Sequence, residues 1–251
     1  MKETTTSKQS QDEDVRNQIL DNAIKVFAER GFGGTYLREI AQRSGVSHSM
    51  IKYYFGSKEK LWRAAVSFLF DRQFREAAPA LTAVNDGDRQ GLLRALIQQM
   101  IRYSARHPEH SRLIMQASMT PGPHLDWIVA HLRELHDLYY PEGSALSEDS
   151  DDRPDIVAII THYLIYGACH TIFALEHEAR GLYGIDVADP VFIDRFVQVA
   201  TEMLMPAEMR GAEAIANRDA GEALGCTSNK PDIQMWETET TTELRISIPK
   251  A

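Results

Sequence analysis

Apolar residues recur at three- and four-residue spacing over most of the chain, the period of a helix with one buried face. Val15, Ile19, Ala23, Val26 and Phe27 mark the first such face. Asp12 and Asp14 suit its start, where the helix dipole favours negative charge. Gly31 is expected to end it, because glycine takes the left-handed cap conformation at little cost. The stretch GFGGT then reads as a loop. YLREIAQRSGVSHSMIKYYF divides into two short helices around SGV, and Lys58 opens another helix with Leu61, Ala64, Ala65, Phe68 and Leu69 inside. Residues 88–107, 109–118, 123–140, 154–182 and 189–205 follow as helices. Pro79, Pro108, Pro121, Pro123, Pro141, Pro154 and Pro190 are expected at their boundaries.

Strand-type alternation is missing before about residue 230. DIQMWETETTTELRISIP alternates weakly and is compatible with a hairpin, but disorder is the favoured expectation. Residues 1–11 are polar and expected to be disordered. EGSALSEDSDDR, residues 142–153, reads as an acidic loop. The pattern therefore predicts an all-α fold in four parts. These are a disordered segment 1–11, a three-helix helix-turn-helix head 12–57, a helical body 58–206, and an atypical polar tail 207–251, mobile or weakly structured.

Charge sharpens the division between head and body. The net charge is −9. Residues 1–75 hold 13 Lys and Arg against 9 Asp and Glu, whereas residues 76–251 hold 14 against 27. A basic head on an acidic body suits a protein that meets a polyanion at one end. No apolar run is long enough to predict a transmembrane helix, and the N-terminal residues lack a secretory pattern. Cys169 and Cys226 lack CxxC spacing and read as unpaired thiols of a reducing, cytoplasmic setting. Hydrolase, P-loop and zinc-protease motifs are missing, so neither an enzyme nor a cofactor is expected.

The chemistry concentrates in LREIAQRSGVSHSMIKYYF. Ile40 and Ala41 face inward, Gly45 permits the turn, Val46 plugs it, and Ser47 is suited to cap the second helix. Winding that helix at about 100° per residue sorts its residues into two faces. Met50, Ile51, Tyr54 and Phe55 form an apolar and aromatic wall. His48, Ser49, Lys52 and Tyr53 form the opposite face, where every side chain can bond a base edge or a phosphate. Lys58 adds a cation at the next helix start.

ILDNAIKVFAERGFGGTYLREIAQRSGVSHSMIKYYFGSKEKLW resembles the DNA-binding domain of the TetR family of bacterial transcriptional regulators. The resemblance implies a homodimer, a palindromic double-stranded DNA operator, and a helical body that binds a small hydrophobic effector. Most often such a protein is a repressor released by that effector. It also implies the DNA-binding residues Tyr36, Arg38, Ser47, His48, Ser49, Lys52, Tyr53, Tyr54 and Lys58. Arg38 takes the position at the second helix that reaches the major groove, His48 and Ser49 are base-proximal, and Lys52, Tyr53 and Tyr54 form the run near the phosphates. Lys58 matches the lysine that secures the next helix to the DNA backbone. Two positions depart from the family. Tyr36 replaces a small hydroxyl residue that usually caps the second helix, so either Thr35 caps it or Tyr36 itself bonds a phosphate. Lys52 replaces a tyrosine, which raises the electrostatic share of binding.

In the body, segment 155–180 is apolar nearly all round and must be covered on both sides. Ile165, Gly167, Cys169, Ile172, Phe192, Phe196, Val199 and Met203 are expected at a dimer interface, following the family's four-helix bundle. His162, Tyr166, His170, Phe173 and His177 make a stripe with three readings: pocket lining, locally satisfied interface or core residues, or a metal site. No carboxylate or cysteine completes a metal set there. Tyr103, Met115, Met119, Trp127, His162, Tyr166, His170 and Phe173 are the candidate ligand-binding residues. The alternative function is a DNA-bound regulator or scaffold without an effector, acting through protein partners of the acidic body and tail.

Overall fold

The structure, a computed structural model, describes residues 3–84, 88–139, 156–205, 232–238 and 241–247. The acidic segment 142–153, the tail stretch 206–231 and Cys226 lie outside the described residues. Residues 1–209 form one compact unit and residues 210–251 another.

The first unit is helical throughout its described residues. Its elements are α1 (Glu3–Gly34), α2 (Leu37–Arg43), α3 (His48–Phe55), α4 (Lys58–Thr82), α5 (Arg89–Arg106), α6 (Pro108–Ser118), α7 (Pro123–Tyr139), α8 (Ile156–Ala174), α9 (Glu176–Tyr183) and α10 (Pro190–Leu204). Three local expectations change. Helix α1 starts at Glu3, not at Asp12 or Asp14, so the stretch from Glu3 to Gln11 is helical rather than disordered. No glycine or proline interrupts it, and its Glu, Lys and Gln are good helix formers. Gly31 breaks the helix at φ 68°, as glycine allows, but a further turn follows, so GFGGT is a kinked continuation and not a plain loop. Helix α4 runs through Pro79 instead of ending there. The proline sits in the last turn, where Thr82 Oγ1 donates to Ala78 O at 2.9 Å and to Pro79 O at 3.3 Å.

The segment expected as one helix over 154–182 is two, parted at Leu175. Arg112 stabilises the break from α6. Its guanidinium donates to Ala174 O at 2.8 Å and Phe173 O at 3.4 Å, carbonyls at the end of α8, and pairs with Glu176 at 3.0 Å. Glu176 and Glu178 then favour a new helix N-terminus.

Two apolar cores divide this unit, and their boundary is not the one between head and body. The first joins Ile19, Ile24 and Phe27 of α1, Ile40 of α2, Ile51 and Phe55 of α3, and Leu61, Trp62 and Leu69 of α4. It continues into Leu113 and Ile114 of α6 and Ile128 of α7. The second holds Ile97 and Ile101 of α5, Ile165, Cys169 and Phe173 of α8, Val187, and Val197 and Ala200 of α10. Helices α6 and α7 are thus packed with the head, which gives the body a rigid grip on it.

In the second unit, β1 (Asp232–Thr238) and β2 (Thr241–Ser247) pair antiparallel, with Ile233 opposite Ile246 and Met235 opposite Leu244. This corrects the favoured expectation of disorder over these residues. Threonine-rich, β-branched segments suit extended backbone, and the weak alternation places apolar residues at matching register positions.

Candidate nucleic-acid interface and the buried network behind it

The two faces of α3 separate as its winding predicts. Ile51 and Phe55 are buried and Met50 and Tyr54 half-buried, while His48, Ser49, Lys52 and Tyr53 are exposed. Gly45 makes the turn at φ 64°. Ser47 caps α3 by accepting from Met50 N at 3.3 Å, and its hydroxyl lies 2.8 Å from that of Ser49.

Tyr36 occupies the N-cap position of α2 without a side-chain cap bond, and 73% of it is exposed. Thr35 does not replace it. The Thr35 hydroxyl donates backward to Gly31 O at 2.7 Å, which ties the α2 entry to the α1 kink. The Tyr36 phenol is therefore left facing solvent. Tyr36, Arg38, His48 and Lys58 line one shallow depression of about 470 Å³ together with Gly33, Thr35 and Leu37. Among the described residues, Arg38 and Lys52 have no hydrogen-bond or ion-pair partner. Arg43, by contrast, is spent internally on Glu29 at 2.6 and 2.8 Å and on Glu39 at 2.7 Å, which fastens α2 to α1.

Three residues expected at DNA are engaged within the protein, Ser47 as the α3 cap and, by longer-range contacts, Tyr54 and Lys58. The Tyr54 hydroxyl donates to Asp12 at 3.2 Å and its ring packs on the head core. Lys58 Nζ lies 4.6 Å from the Phe32 ring centroid and 3.5 Å from Gly33 O. Burial holds the Lys58 ammonium below its ordinary pKa. Beside the Ser47 cap, the exposed set is thus Tyr36, Arg38, His48, Ser49, Lys52 and Tyr53.

Behind this face runs a buried polar network that composition did not reveal. Arg72 of α4 bonds Asp21 of α1 and Glu109 of α6, both at 3.0 Å, and the Tyr103 hydroxyl of α5 at 3.4 Å. Tyr103 is hydrogen-bonded to His110 Nδ1 at 2.9 Å. Farther into the body, His170 Nδ1 meets the Ser104 and Ser111 hydroxyls at 2.7 and 2.9 Å. His170 Nε2 and the Tyr166 hydroxyl are buried with no partner, and their two rings lie 4.3 Å apart. Whichever tautomer His170 adopts, its outer nitrogen is unmatched.

The residues expected around a ligand differ in their surroundings. Tyr103 and Phe173 are core, Met119 is exposed, and Trp127 stacks under Arg63 at 4.9 Å. His162 is exposed at 6.3 Å from Tyr166, ring to ring, and His177 lies beyond the break at Leu175. Tyr166 and His170 alone of that set bring unmatched buried polar atoms together. Among the described residues no group of three His, Cys, Asp or Glu could hold a metal.

The expected interface residues also divide. Ile165 and Cys169 are buried in the second core, and Ile172, Phe192 and Phe196 pack against it. Ile165 and Cys169 are thus covered within the protomer, while Ile172, Phe192 and Phe196 stay half-exposed. Gly167, Val199 and Met203 do face outward, and a Cβ at Gly167 would meet nothing within 4 Å. Burial pushes the Cys169 thiol up to about 12, which leaves it unreactive.

The buried histidines predict a pH response. Burial lowers His170 to about 4 and His110 well below 6.5. The unfolded chain therefore binds more protons than the folded one between about pH 4 and 6.5, so stability falls as pH drops through that window. For His170 the gap from 6.5 to about 4 corresponds to on the order of 3 kcal/mol. Urea titrations at pH 7.5 and 5.0 should show the loss, and His170→Gln should reduce it. An equal loss in the variant would remove His170 from the effect.

A capped two-helix turn that presents a polar, basic outer face over a packed apolar inner one defines a helix-turn-helix transcriptional regulator. The pattern of "Bacterial regulatory proteins, tetR family" matches residues 19–65. The HTH-type transcriptional repressor NicS of Pseudomonas putida is 27% identical over 184 residues, covering 69% of this chain and 82% of that protein. The HTH-type transcriptional regulator RutR of Escherichia coli K12 is 29% identical over 207 residues, covering 77% and 91%. The fold is shared with the transcriptional regulator FadR from Bacillus subtilis, solved in complex with stearoyl-CoA. That similarity has a TM-score of 0.51 at 17% identity and covers 75% of this chain and 96% of that one. Residues 19–65 thus carry the TetR-family DNA-binding pattern, and the relatives matched over two thirds or more of this chain are HTH-type transcriptional regulators. No described helix is long and apolar enough to cross a membrane.

Proposed function

We propose that this protein is a homodimeric repressor that reads a palindromic operator through α3 and Arg38 and leaves it when a small hydrophobic effector binds the body. The observation that carries the reading is the outer face of α3. Four polar side chains stand exposed there beside an unpaired arginine, on a helix whose other side is packed shut. Arginine suits the paired acceptors of guanine in the major groove, and Lys52 and Tyr53 suit phosphates.

Outward apolar residues on α8 and α10 support the dimer, and a two-fold axis would place two reading helices on successive major grooves. The unmatched Tyr166 hydroxyl and His170 Nε2 support an effector with an apolar body and one hydrogen-bonding group. Effector binding would favour a dimer whose heads are wrongly spaced for the operator.

A gel shift on the region upstream of its own gene, at moderate salt, tests the reading; absence of sequence-specific binding sinks it. Arg38→Ala should cost about 10- to 100-fold on the operator and little on random DNA, as expected for loss of a base contact. Lys52→Ala should weaken both DNAs alike and lower the salt slope by about one. Equal effects of both variants on both DNAs would contradict these assignments.

A further inference from the structure

A half-enclosed cavity of about 220 Å³ lies where the head meets α6 and α7, apart from the Tyr166–His170 pair. Four aromatic rings contribute to its walls, Phe27 and Phe32 of α1, Trp62 of α4 and His124 of α7, beside the turn Thr120–Pro123. The His124 ring lies 4.2 Å from both the Phe32 and the Trp62 rings, held by a 2.9 Å bond from its Nε2 to Glu59. Leu113 adds apolar surface, and the Gln116 amide stands at the rim, 3.4 Å from where a Cβ on Gly31 would be. The Gln116 and Thr120 side chains have no partner among the described residues.

We infer that this cavity is a second small-molecule site, for a compact planar heteroaromatic ring, and that its occupancy is sensed at the DNA-facing surface through Phe32. Size sets the ligand class. An apolar cavity of about 150 Å³ accepts benzene, so this one takes one ring or two fused rings and not a long acyl chain. Aromatic walls favour a flat ligand by offset stacking, and the amide and hydroxyl at the rim favour a heteroatom.

Phe32 provides the link. It lines the cavity and also carries Lys58 above its ring at 4.6 Å, and Lys58 lines the depression beside Tyr36, Arg38 and His48. The short run from the kink at Gly31 to Thr35, whose hydroxyl donates to Gly31 O, connects Phe32 of the cavity to Gly33 and Thr35 of the depression. A ring seated in this cavity packs against Phe32 and biases the position of that side chain. The movement releases Lys58 from its seat and alters the entry to α2. This inference rests on the DNA-binding reading above only for its output; ligand capture is separate from it.

The test uses the full-length protein with benzimidazole and indole as probes and cyclohexanol as a non-planar control. Binding is followed without DNA by NMR of the Trp62 indole N–H and the His124 ring, and operator binding by fluorescence anisotropy. Benzimidazole should bind one per chain, shift both signals, and weaken operator binding about 5- to 100-fold, the usual span of coupling between two sites. Ala117→Phe, which fills the cavity, should abolish the shifts. Phe32→Leu should keep probe capture and lose most of the effect on DNA. Unshifted Trp62 and His124 signals in the wild-type chain overturn the site, whatever the variants do. Undiminished capture by a folded Ala117→Phe overturns it as well. Capture without any change in operator affinity overturns the coupling. Failure of the unliganded protein to bind its operator would instead count against the regulator reading and leave the capture result to be judged alone.

Discussion

Leu164→Asp should yield a folded monomer that has lost operator binding. Leu164 is 62% exposed on α8, in a stripe with Ile156, Ile160 and Tyr163. Gly167 continues it with open space where a side chain would be. Helix α10 adds exposed Val191, Val199 and Met203. Large apolar side chains left outside on two helices support the proposed dimer, in which an isologous interface repeats the same patch on both sides. An aspartate there must be desolvated twice across the axis, which opposes closure. Once the heads separate, each binds its half-site alone and the gain from linkage, about 10²- to 10⁴-fold, is forfeited. Light scattering should show the monomer, circular dichroism an unchanged helix content, and anisotropy the loss. Ile165→Asp makes the contrast. Ile165 is only 8% exposed and sits in the second core, so its aspartate should unfold the protein rather than split it. A Leu164→Asp chain that remains dimeric would rule this surface out.

Arg72→Ala should cost about 3–5 kcal/mol of stability, the usual loss on removing one side of a buried ion pair. The whole stability of a domain is about 5–15 kcal/mol, so this one change should bring the fold near its limit. Arg72 and Glu109 keep only 14% and 12% of their side chains exposed. Burial alone would raise the Glu109 carboxyl, but the His107 bond, its own backbone N–H and Arg72 outweigh burial and hold it below the ordinary range. A depressed carboxyl stabilises the fold above its unfolded pKa and loses that contribution as pH falls through the folded value. Without Arg72, the carboxylate is left buried with less compensation. Arg72→Ala with Glu109→Gln should therefore lose less than Arg72→Ala alone in urea titrations at pH 7. A single variant within about 1 kcal/mol of the wild type would mean that the pair behaves as a surface one. Because Asp21 lies on α1, the same variant should loosen the seat of the head on α4.

The reading helix was legible from periodicity because about two turns of sequence hold all its information. Winding Ser47 to Phe55 separates the two faces, and the burial of those side chains follows the same division. Gly45 and Gly31 were legible for a similar reason, since both adopt the positive φ that glycine alone takes cheaply. Where a side chain's partner lies far along the chain, local pattern was silent. Lys58 read as a free cation, yet its ammonium rests on Phe32, 26 positions earlier. Tyr54 read partly as a DNA contact, yet its hydroxyl reaches Asp12. Glu176 and Glu178 suit a helix start but do not by themselves announce the break at Leu175, because the guanidinium that satisfies the freed carbonyls comes from Arg112.

Sequence alone determined the helical class, the helix-turn-helix, its cap and its outward face, all of which depend on neighbours within about two turns. Only the tertiary structure decided which face of α8 turns outward. A helix apolar nearly all round carries no internal sign of its inner side, so the exposed stripe lies round from the Ile165–Cys169 side. The tertiary structure also assembled Asp21, Arg72, Glu109, Tyr103 and His110 from four helices, a polar network that no single segment encodes. Charges taken out of water must find partners wherever the packing of distant helices places them, and sequence spacing holds no record of that geometry.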